Sequence, residues 1–424
     1  MTRAMKYSGI EWIGEIPANW DFDKGKYHFT NNKYVVGIKS ANYDRLALTM
    51  NGVIHRNKED NEGLQPSDFN TYQLLKKNEL VFKLIDLQNV STSRIGLAHD
   101  TGIVSPAYVI LHANNDINPS FAEKFFLMMW YREIFNALGD AGVRSNLNAG
   151  DLLNVRIPVP PIDEQNKIAD YLDKKCEEID AITAEIQEQI STLEEYKKSV
   201  ISETVTKGLN PNATMKDSGI EWIGKIPEHW DTIKIGHLFS IRNERNTLPE
   251  DKVQLLSLYT DIGVFPQGEH TTASGNHAQT VDGYKIVRKN DIVVNIILAW
   301  MGAIGISDYN GVTSPAYDVY IPNISKAFPH FYHYVFRTKG IAAECYKYGR
   351  GIMLMRWRTY SQEFKQIKIP YPDIKEQKEI AKYLDAKCKE IESAIEDKQK
   401  QIETLEEYKK TLIYEYVTGK KEVA

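Results

Sequence analysis

Cysteine is scarce in this chain, with three residues in 424. Cys176 and Cys388 hold matching places in two predicted helices, and Cys345 has no counterpart, so the paired framework of a small secreted domain is excluded. The sequence also lacks a run of about eighteen apolar residues and a basic-then-apolar N-terminal segment, which argues against a membrane span and against export. We therefore expect reduced thiols and a cytoplasmic protein.

Recognisable catalytic motifs are lacking as well. The sequence has no P-loop, no Gly-x-Ser-x-Gly turn and no zinc-ligand spacing. The tetrapeptide SPAY, at 105–108 and 314–317, is similar to a base-holding loop of amino-methyltransferases, but Ser105 and Ser314 offer neither the amide nor the carboxylate that this loop needs. The Pro-Asp and Glu-x-Lys of residues 372–378 sit at a helix start, whereas nucleases carry them on two strands. We predict a turn, a capped helix, and no catalytic or metal site.

An internal duplication is what the chain does have. Residues 5–20 match residues 215–230 at 12 of 16 positions, and residues 163–206 match residues 375–418 at 25 of 44 positions. The stretches between these blocks have mostly diverged. Such a repeat predicts two similar domains with different surface chemistry, held in a symmetric frame.

The net charge of −5 is distributed unevenly along the chain. Residues 163–206 hold 5 basic and 12 acidic side chains, and residues 373–424 hold 11 and 13. The first lobe, residues 21–156, holds 15 of each, and the second lobe, residues 231–368, holds 16 basic and 12 acidic side chains. The excess acid lies in the repeated segments, so the overall sign does not exclude an anionic partner for a lobe.

Both repeated segments predict long helices that pair as a coiled coil. The a row of the first segment is Leu172, Ile179, Ile186, Leu193 and Val200. Its d row is Ile168, Ile182 and Tyr196, interrupted by Lys175 and Gln189. The a row of the second segment is Leu384, Ile391, Leu405 and Leu412. Each helix follows a proline-rich turn and is on the order of 65 Å long.

The lobes have the pattern of mixed α/β domains. Strand-like runs occur at residues 79–85, 101–111, 252–259, 291–298 and 313–321. Aromatic, helix-like stretches occur at residues 121–138 and 327–346, and residues 207–214 have the composition of a linker. We expect the two lobes to share a fold.

One segment of the second lobe gives the strongest binding signal. Residues 345–360, the basic-aromatic segment, alternate cations that suit phosphates and guanine with rings that suit base stacking. Its candidates are Lys347, Tyr348, Arg350, Arg356, Trp357 and Arg358, and the same place in the first lobe offers Arg144, Ser145, Asn146 and Asn148. Further candidates are Arg94, Arg242 and Arg245. The alternative for each is a solvated surface loop.

Taken together, these features resemble the DNA-specificity subunit of type I restriction–modification systems. The resemblance rests on GIEWIGEIPANW (9–20), the proline-rich EQ helix start, the YLD and LEEYKK stretches and SPAY, each with a second copy. It covers nearly the whole chain. It implies a target-recognition domain at 1–157, a conserved helix at 158–206, a linker and second recognition domain at 207–369, and a second helix with the C-terminus at 370–424.

The resemblance also implies partners and a division of labour. Such subunits are non-catalytic, and each recognition domain reads one half of a bipartite, asymmetric DNA site, while the long helices act as a spacer and as a docking surface. Two modification subunits, and restriction subunits, supply the chemistry. S-adenosylmethionine, ATP and magnesium are expected on those partners, with no cofactor on this chain. A different class remains open: a coiled-coil scaffold whose lobes bind proteins.

Overall fold

The computed structural model describes residues 3–60, 68–85, 87, 93–138, 146–260, 262–269, 280–352 and 357–423. The chain forms two compact units. The first unit comprises Met1–Gln187 with Gln399–Ala424, and the second comprises Glu188–Lys398. Each unit therefore combines one lobe with the beginning of one repeated helical segment and the end of the other. The division into four consecutive domains stays a prediction.

Short strands and three short helices build the first lobe and its flanks. The strands are β1 (Met5–Tyr7), β2 (Glu15–Pro17), β3 (Asp21–Lys24), β4 (Phe29–Thr30), β5 (Arg45–Thr49), β6 (Gly52–Arg56), β7 (Gln73–Leu75), β8 (Leu80–Phe82), β9 (Ile95–Leu97), β10 (Gly102–Val104), β11 (Val109–Ala113) and β12 (Arg156–Val159). The helices are α1 (Pro119–Tyr131), α2 (Ile134–Leu138) and α3 (Ala149–Asn154). Two sheets have the orders β6-β5-β10-β7 and β4-β11-β8-β9, and β1 pairs with β2 and β3 with β12.

The second lobe and its flanks follow the same plan. The strands are β13 (Met215–Asp217), β14 (Lys225–Pro227), β15 (Asp231–Lys234), β16 (Phe239–Ile241), β17 (Leu256–Tyr259), β18 (Gly263–Pro266), β19 (Lys285–Val287), β20 (Ile292–Asn295), β21 (Ile304–Ile306), β22 (Gly311–Thr313), β23 (Tyr317–Pro322) and β24 (Lys368–Tyr371). The helices, numbered after those of the first unit and its long helix α4 (Ile162–Lys207), are α5 (Ile235–Leu238), α6 (Pro329–Phe336), α7 (Lys339–Tyr348) and α8 (Ser361–Phe364).

The diverged lobes share one topology, as predicted. The sheet β16-β23-β20-β21 repeats β4-β11-β8-β9, and the pairs β13–β14 and β15–β24 repeat β1–β2 and β3–β12. Aromatic residues fill equivalent cores: Phe126 lies 5.1 Å from Phe82 between ring centres, and Phe239 lies 5.3 Å from Tyr332. Burying these large apolar side chains is the main stabilising term in each lobe, and it constrains size and polarity more than identity. The mixed α/β class is confirmed.

Two long helices, α4 and α9 (Ile374–Val417), account for the repeated segments. In the first unit Tyr171 stacks near Tyr416, with ring centres 4.6 Å apart, and Lys409 Nζ lies 2.6 Å from Asp180 Oδ1. In the second unit Lys197 pairs with Glu392, and Lys398 donates to Gln189. In these pairs the residue number in α9 decreases as the residue number in α4 increases, so the two helices are antiparallel in both units. No helix in the described ranges is both long and apolar enough to cross a membrane.

The helix seam agrees with the predicted a row and with Ile168 of the predicted d row, but not with the other two d-row residues. Leu172, Ile179 and Ile186 are buried, whereas Ile182 and Tyr196 are 47 % and 48 % exposed. Their place is taken by Cys176 and Ile190, which lie four residues after an a position instead of three. The two d-row assignments are therefore wrong, because the packing of the actual partner helix selects the neighbouring stripe.

A hydrogen-bonded clasp fixes the start of each long helix to its lobe. Trp20 is fully buried and its indole Nε1 donates to Glu164 Oε2 at 2.9 Å. In the second unit, Trp230 Nε1 donates to Glu376 Oε2 at 2.8 Å. Burying an indole N–H without a partner is costly, so tryptophan and glutamate are needed together.

The glutamine that follows each of these glutamates completes the clasp. Gln165 Oε1 accepts from Asn118 N at 2.8 Å, and its Nε2 donates to the carbonyls of Asp116 and Pro160. Gln377 makes the matching three bonds, to Phe328 N and to the carbonyls of Lys326 and Pro372. Both amides lie completely buried, and each links the turn before a lobe helix to the proline turn before a long helix.

The far end of a long helix packs against the same tryptophan. After α9, Gly419 adopts φ +69°, and a Cβ there would lie 2.3 Å from Pro17 Cδ and 3.0 Å from the Trp20 ring. After α4, Gly208 adopts φ +74° beside the Trp230 ring. Lys420 Nζ also donates to Ile13 O at 2.8 Å. Each unit is thus closed by the beginning of one long helix and the end of the other.

We predict that Gly419→Ala destabilises the full chain by about 2–5 kcal/mol, because alanine at positive φ costs about 1–2 kcal/mol and the clash with Pro17 adds about 1–3 kcal/mol. Gly224→Ala is the matched control, since Gly224 has φ +68° and open space around its Cβ position. Denaturant unfolding of both variants measures the difference. Equal losses would show that Gly419 does not close the first unit.

Candidate nucleic-acid interface

The basic-aromatic segment is a loop with an ordered base. It begins at the end of α7, and Arg350 and Arg358 exchange two backbone N–H···O bonds of 3.0 Å. Trp357 stacks on Tyr346 with ring centres 5.0 Å apart and donates its Nε1 to Tyr346 O. Gly349 is required there, because a Cβ would lie 2.4 Å from Trp357 Nε1. The structure therefore brings four of the predicted candidates, Tyr348, Arg350, Trp357 and Arg358, to one loop.

Two cations of this segment, Arg350 and Lys347, are open to solvent and contact neighbouring side chains. The side chain of Arg350 is 68 % exposed, lies over the Tyr360 ring at 5.1 Å and contacts Glu363 Oε1 at 3.1 Å. Lys347 is equally exposed and lies 3.6 Å from Glu344. Exposed, loosely paired cations beside aromatic faces can neutralise phosphates and stack on bases. Arg356 lies outside the described residues.

The first lobe anchors its corresponding loop in the same way. Leu147 N donates to Leu84 O at 3.0 Å, and Thr359 N donates to Ile296 O at 2.9 Å. Asn146 is therefore the topological counterpart of Arg358, and it is exposed. Both lobes therefore have candidate residues at the same position of the fold, next to this shared hydrogen bond. Arg144 and Ser145 lie outside the described residues.

Asn148 has a structural function that the sequence did not reveal. Its side chain accepts from Gly150 N at 2.7 Å and from Asp151 N at 3.1 Å, while Asp151 accepts from Asn148 N. This reciprocal pair is a capping box at the start of α3. The side-chain oxygen of Asn148 is therefore engaged in the cap.

Two predicted candidates are buried and must be corrected. Arg242 donates Nε and Nη2 to the two carboxylate oxygens of Asp291, at 2.7 and 2.9 Å, and this hydrogen bonding raises the pKa of Arg242. Arg94 is completely buried and donates Nη1 to Ile85 O at 3.1 Å. Both guanidinium groups serve the interior of their lobes, because a buried cation needs local acceptors. Neither is presented to a duplex.

Arg245 lies at a sheet edge. The equivalent edge of the first lobe has exposed cations that were not predicted from the sequence. Arg245 is exposed and forms a β-bridge with Lys285 of β19, as Val35 does with Gln73 of β7. The segment around Val35 exposes a second cation-rich stretch in the first lobe: Lys33, Tyr34, Ile38 and Lys39. Its only signal in the sequence was two lysines separated by apolar residues, which is also the pattern of an ordinary edge strand.

The two motifs that suggested chemistry are structural. In each SPAY copy the serine hydroxyl accepts from the alanine N–H and the serine carbonyl accepts from the tyrosine N–H, with Tyr108 N at 3.1 Å from Ser105 O. Asp373 caps α9 by accepting from the N–H groups of Lys375 and Glu376. The predicted turn and capped helix are confirmed. Among the described residues, no group of three or more His, Cys, Asp and Glu could hold a metal ion.

The three cysteines lie inside the units. All are buried, free thiols. Burial raises the pKa of the Cys345 thiol, and it also raises the pKa of Cys176 and Cys388. A raised pKa keeps each thiol protonated and lowers its reactivity, so we treat the cysteines as packing residues.

Comparison with known sequences decides the family. A sequence profile for the type I restriction modification DNA specificity domain matches residues 23–192 and 227–404, one match per repeat. The chain belongs to this family. Its function is accordingly to give DNA sequence specificity to a type I restriction–modification system, and the two matched domains agree with the two units of the fold.

Individual relatives support the assignment. A Methanocaldococcus jannaschii protein, inferred to be the MjaX type I restriction enzyme specificity subunit, is 26 % identical over 97 % of this chain and 96 % of its own length. A solved type I R-M system chain, 13 % identical, has a TM-score of 0.68 over 95 % of this chain and 99 % of that chain. The HsdS subunit from Thermoanaerobacter tengcongensis, 14 % identical, has a TM-score of 0.50 over 95 % and 98 %. These structures share the fold.

We predict unequal effects on stability for two arginine substitutions in the second lobe of this specificity subunit. Arg242→Ala should lower the free energy of unfolding by about 3–5 kcal/mol, because it leaves Asp291 buried and unpaired. Arg350→Ala should change it by about 1 kcal/mol or less, since its ion pair is exposed.

The same variants separate structure from DNA binding. Arg350→Ala should lower the slope of log affinity against log salt by about 1 for a duplex bound to the assembled complex. Urea unfolding and fluorescence anisotropy at several salt concentrations provide the two readouts. A normal salt slope for Arg350→Ala would place the phosphate contacts elsewhere.

Proposed function

We propose that each lobe reads one half of a bipartite, asymmetric DNA site. The observation that carries this proposal is the pair of loops with one anchor and different chemistry. At the corresponding position the second lobe has the half-buried Arg358, and the first has the exposed Asn146. Arginine suits the acceptors of guanine, and asparagine suits the donor and acceptor of adenine. Two lobes of one topology therefore offer different donor and acceptor patterns.

A single chain with unlike lobes fits an asymmetric target. A homodimer presents the same surface twice and favours palindromes, because its two-fold symmetry is copied in the DNA. Here the repeat keeps the clasp and the long helices and changes the lobes. We propose that the helices, which run through both units, set the spacing between the half-sites. No contact among the described residues favours the scaffold alternative.

The proposal is tested by exchanging the second lobe. Residues 231–368 are replaced by the corresponding lobe of another specificity subunit, and the chain is assembled with its modification subunit. Sequencing of methylated DNA should show one half-site changed and the other retained. The unmodified complex is the positive control, and the isolated chain, which we expect to be inactive in methylation and cleavage, is the negative one. A change in both half-sites would contradict modular reading.

The long helices carry two matching exposed patches. In the first unit Lys175 bonds Glu178 at 2.7 Å, and in the second unit Lys387 bonds Glu390 at 2.9 Å. That hydrogen bond raises the pKa of each lysine, and two nearby tyrosines raise it further. The tyrosines are Tyr171 and Tyr408 in the first unit and Tyr383 and Tyr196 in the second. We name these two sets the tyrosine–lysine patches.

The patches consist of residues that are identical in both repeats, and most are exposed. Tyr196 is 48 % exposed, Tyr408 53 % and Tyr383 43 %. Internal packing explains why a buried residue is retained, but it does not constrain an exposed tyrosine. An external partner that meets the chain twice would constrain it, and exposed tyrosines are favourable centres for protein contacts. We propose that each patch docks one modification subunit, so that two bind per chain.

We predict that Tyr196→Ala or Tyr408→Ala alone reduces the number of bound modification subunits from two to one, and that the double variant binds none. The physical reason is the loss of one aromatic anchor per patch, worth about 2 kcal/mol or more. Native mass spectrometry of the assembled complex counts the subunits.

A matched control comes from Tyr7. It is 65 % exposed, but the second repeat has Asp217 at that position, so Tyr7→Ala should leave two subunits bound. Unchanged thermal unfolding confirms that each variant is folded. Two subunits on each single variant, at undiminished affinity, would show that the patches are not docking sites.

The chemistry of the complex belongs to the partners in this proposal. The chain supplies sequence recognition and assembly, and we propose that it is itself non-catalytic. S-adenosylmethionine is carried by the modification subunits, and ATP and magnesium by restriction subunits where these are present. We propose a cytoplasmic location for the complex, because its DNA target lies there.

A further inference from the structure

Ile352, in the basic-aromatic segment, is 92 % exposed, more than the other large apolar side chains of the described residues. Scattered apolar residues are common on protein surfaces, so exposure by itself indicates nothing. What distinguishes Ile352 is its setting. It follows Gly351 and lies two residues from Arg350, within about 7 Å of the ordered base of the loop.

That base restrains where Ile352 can go. The two backbone bonds between Arg350 and Arg358 close the loop, and the stacked pair Trp357–Tyr346 holds one side of it. Thr359 ties the same strand to the lobe by donating Oγ1 to Cys345 O at 2.8 Å. Because the backbone next to Ile352 is already held in place, binding a partner costs little additional conformational entropy.

The surroundings of Ile352 select the kind of partner. Lys347 and Arg350 are about two-thirds exposed, and the rings of Tyr348 and Tyr360 are 39 % and 40 % exposed. A protein groove would match the apolar residue but would have to supply several acids. A nucleic-acid duplex supplies both partners at once: phosphates for the cations, and base faces for an apolar tip.

We propose that Ile352 is a wedge that enters the DNA duplex between two base pairs of the half-site read by the second lobe. Lys347 and Arg350 contact the flanking phosphates. The bonds at the base of the loop keep Ile352 in place while the two base pairs are separated. The duplex is thereby unstacked at one step, and sequences whose steps separate easily are favoured without any hydrogen bond to their edges. The inference rests on the proposed function, because it needs the second lobe to bind a half-site.

The test uses the full chain assembled with its modification subunit. A pool of randomised duplexes is enriched on this complex, and lobe exchange assigns one half of the recovered site to the second lobe. Duplexes of that sequence then carry 2-aminopurine at each position of the assigned half, because its fluorescence rises when it is unstacked. The variants are Ile352→Ala, the conservative Ile352→Leu, and the control Ile324→Ala, at a residue 74 % exposed in the turn before α6.

We expect a fluorescence increase at one step with the unmodified complex, with Ile352→Leu and with Ile324→Ala. Ile352→Ala should lose that increase and bind about fifty-fold more weakly, the effect of three missing buried methylene equivalents. Its salt slope should stay the same, since no cation is removed. A reduced slope would show a disturbed phosphate contact instead of a wedge.

The remaining outcomes separate the two hypotheses. An increase that persists at full strength in Ile352→Ala would overturn the wedge and leave the proposed function intact. Enrichment of no sequence from the pool would overturn the proposed function and the wedge with it. Capture of a protein by the loop, with no duplex distortion, would assign Ile352 to a protein interface and would likewise overturn the wedge.

Discussion

The hydrogen bond from a buried indole to a glutamate at a helix start is the interaction on which both units depend. Trp20 with Glu164, and Trp230 with Glu376, join each lobe to a long helix, and the adjacent glutamines bind the neighbouring turns. Both tryptophans are fully buried, so losing the glutamate leaves an indole N–H unsatisfied. This explains why the blocks that supply these residues stayed similar while the lobes diverged.

Much of the frame could be predicted from the sequence because its periodicity is local. Heptad spacing identified both long helices, and Leu172, Ile179 and Ile186 are buried as expected. The d-row prediction was wrong at Ile182 and Tyr196. Residues three and four positions after an a residue can both face a partner helix, and the packing of that partner decides which of them is buried. The hydrogen bond from Trp20 to Glu164 joins residues 144 positions apart, and no local sequence pattern predicts such a contact.

The candidate interface was less predictable, for a related reason. The sequence shows that an arginine is present, but it does not show whether an acidic residue from another strand forms an ion pair with it. Arg242 meets Asp291 across 49 residues and becomes part of the core, whereas Arg350 meets a ring and a half-exposed acid and stays at the surface. Gly349 and Trp357 define the loop through short-range packing, so this part of the interface depends on residues close together in the sequence.

The closure of the first unit by residues 399–423 has a consequence for synthesis on the ribosome. The second unit is one continuous stretch, Glu188–Lys398, and can complete its contacts as soon as that stretch has emerged. The first unit emerges earlier but must wait for the final helix to leave the exit tunnel. The usual order, in which the N-terminal part folds first, is therefore reversed. A nascent chain that stalls before residues 399–423 have emerged would carry a complete second unit and an open first unit.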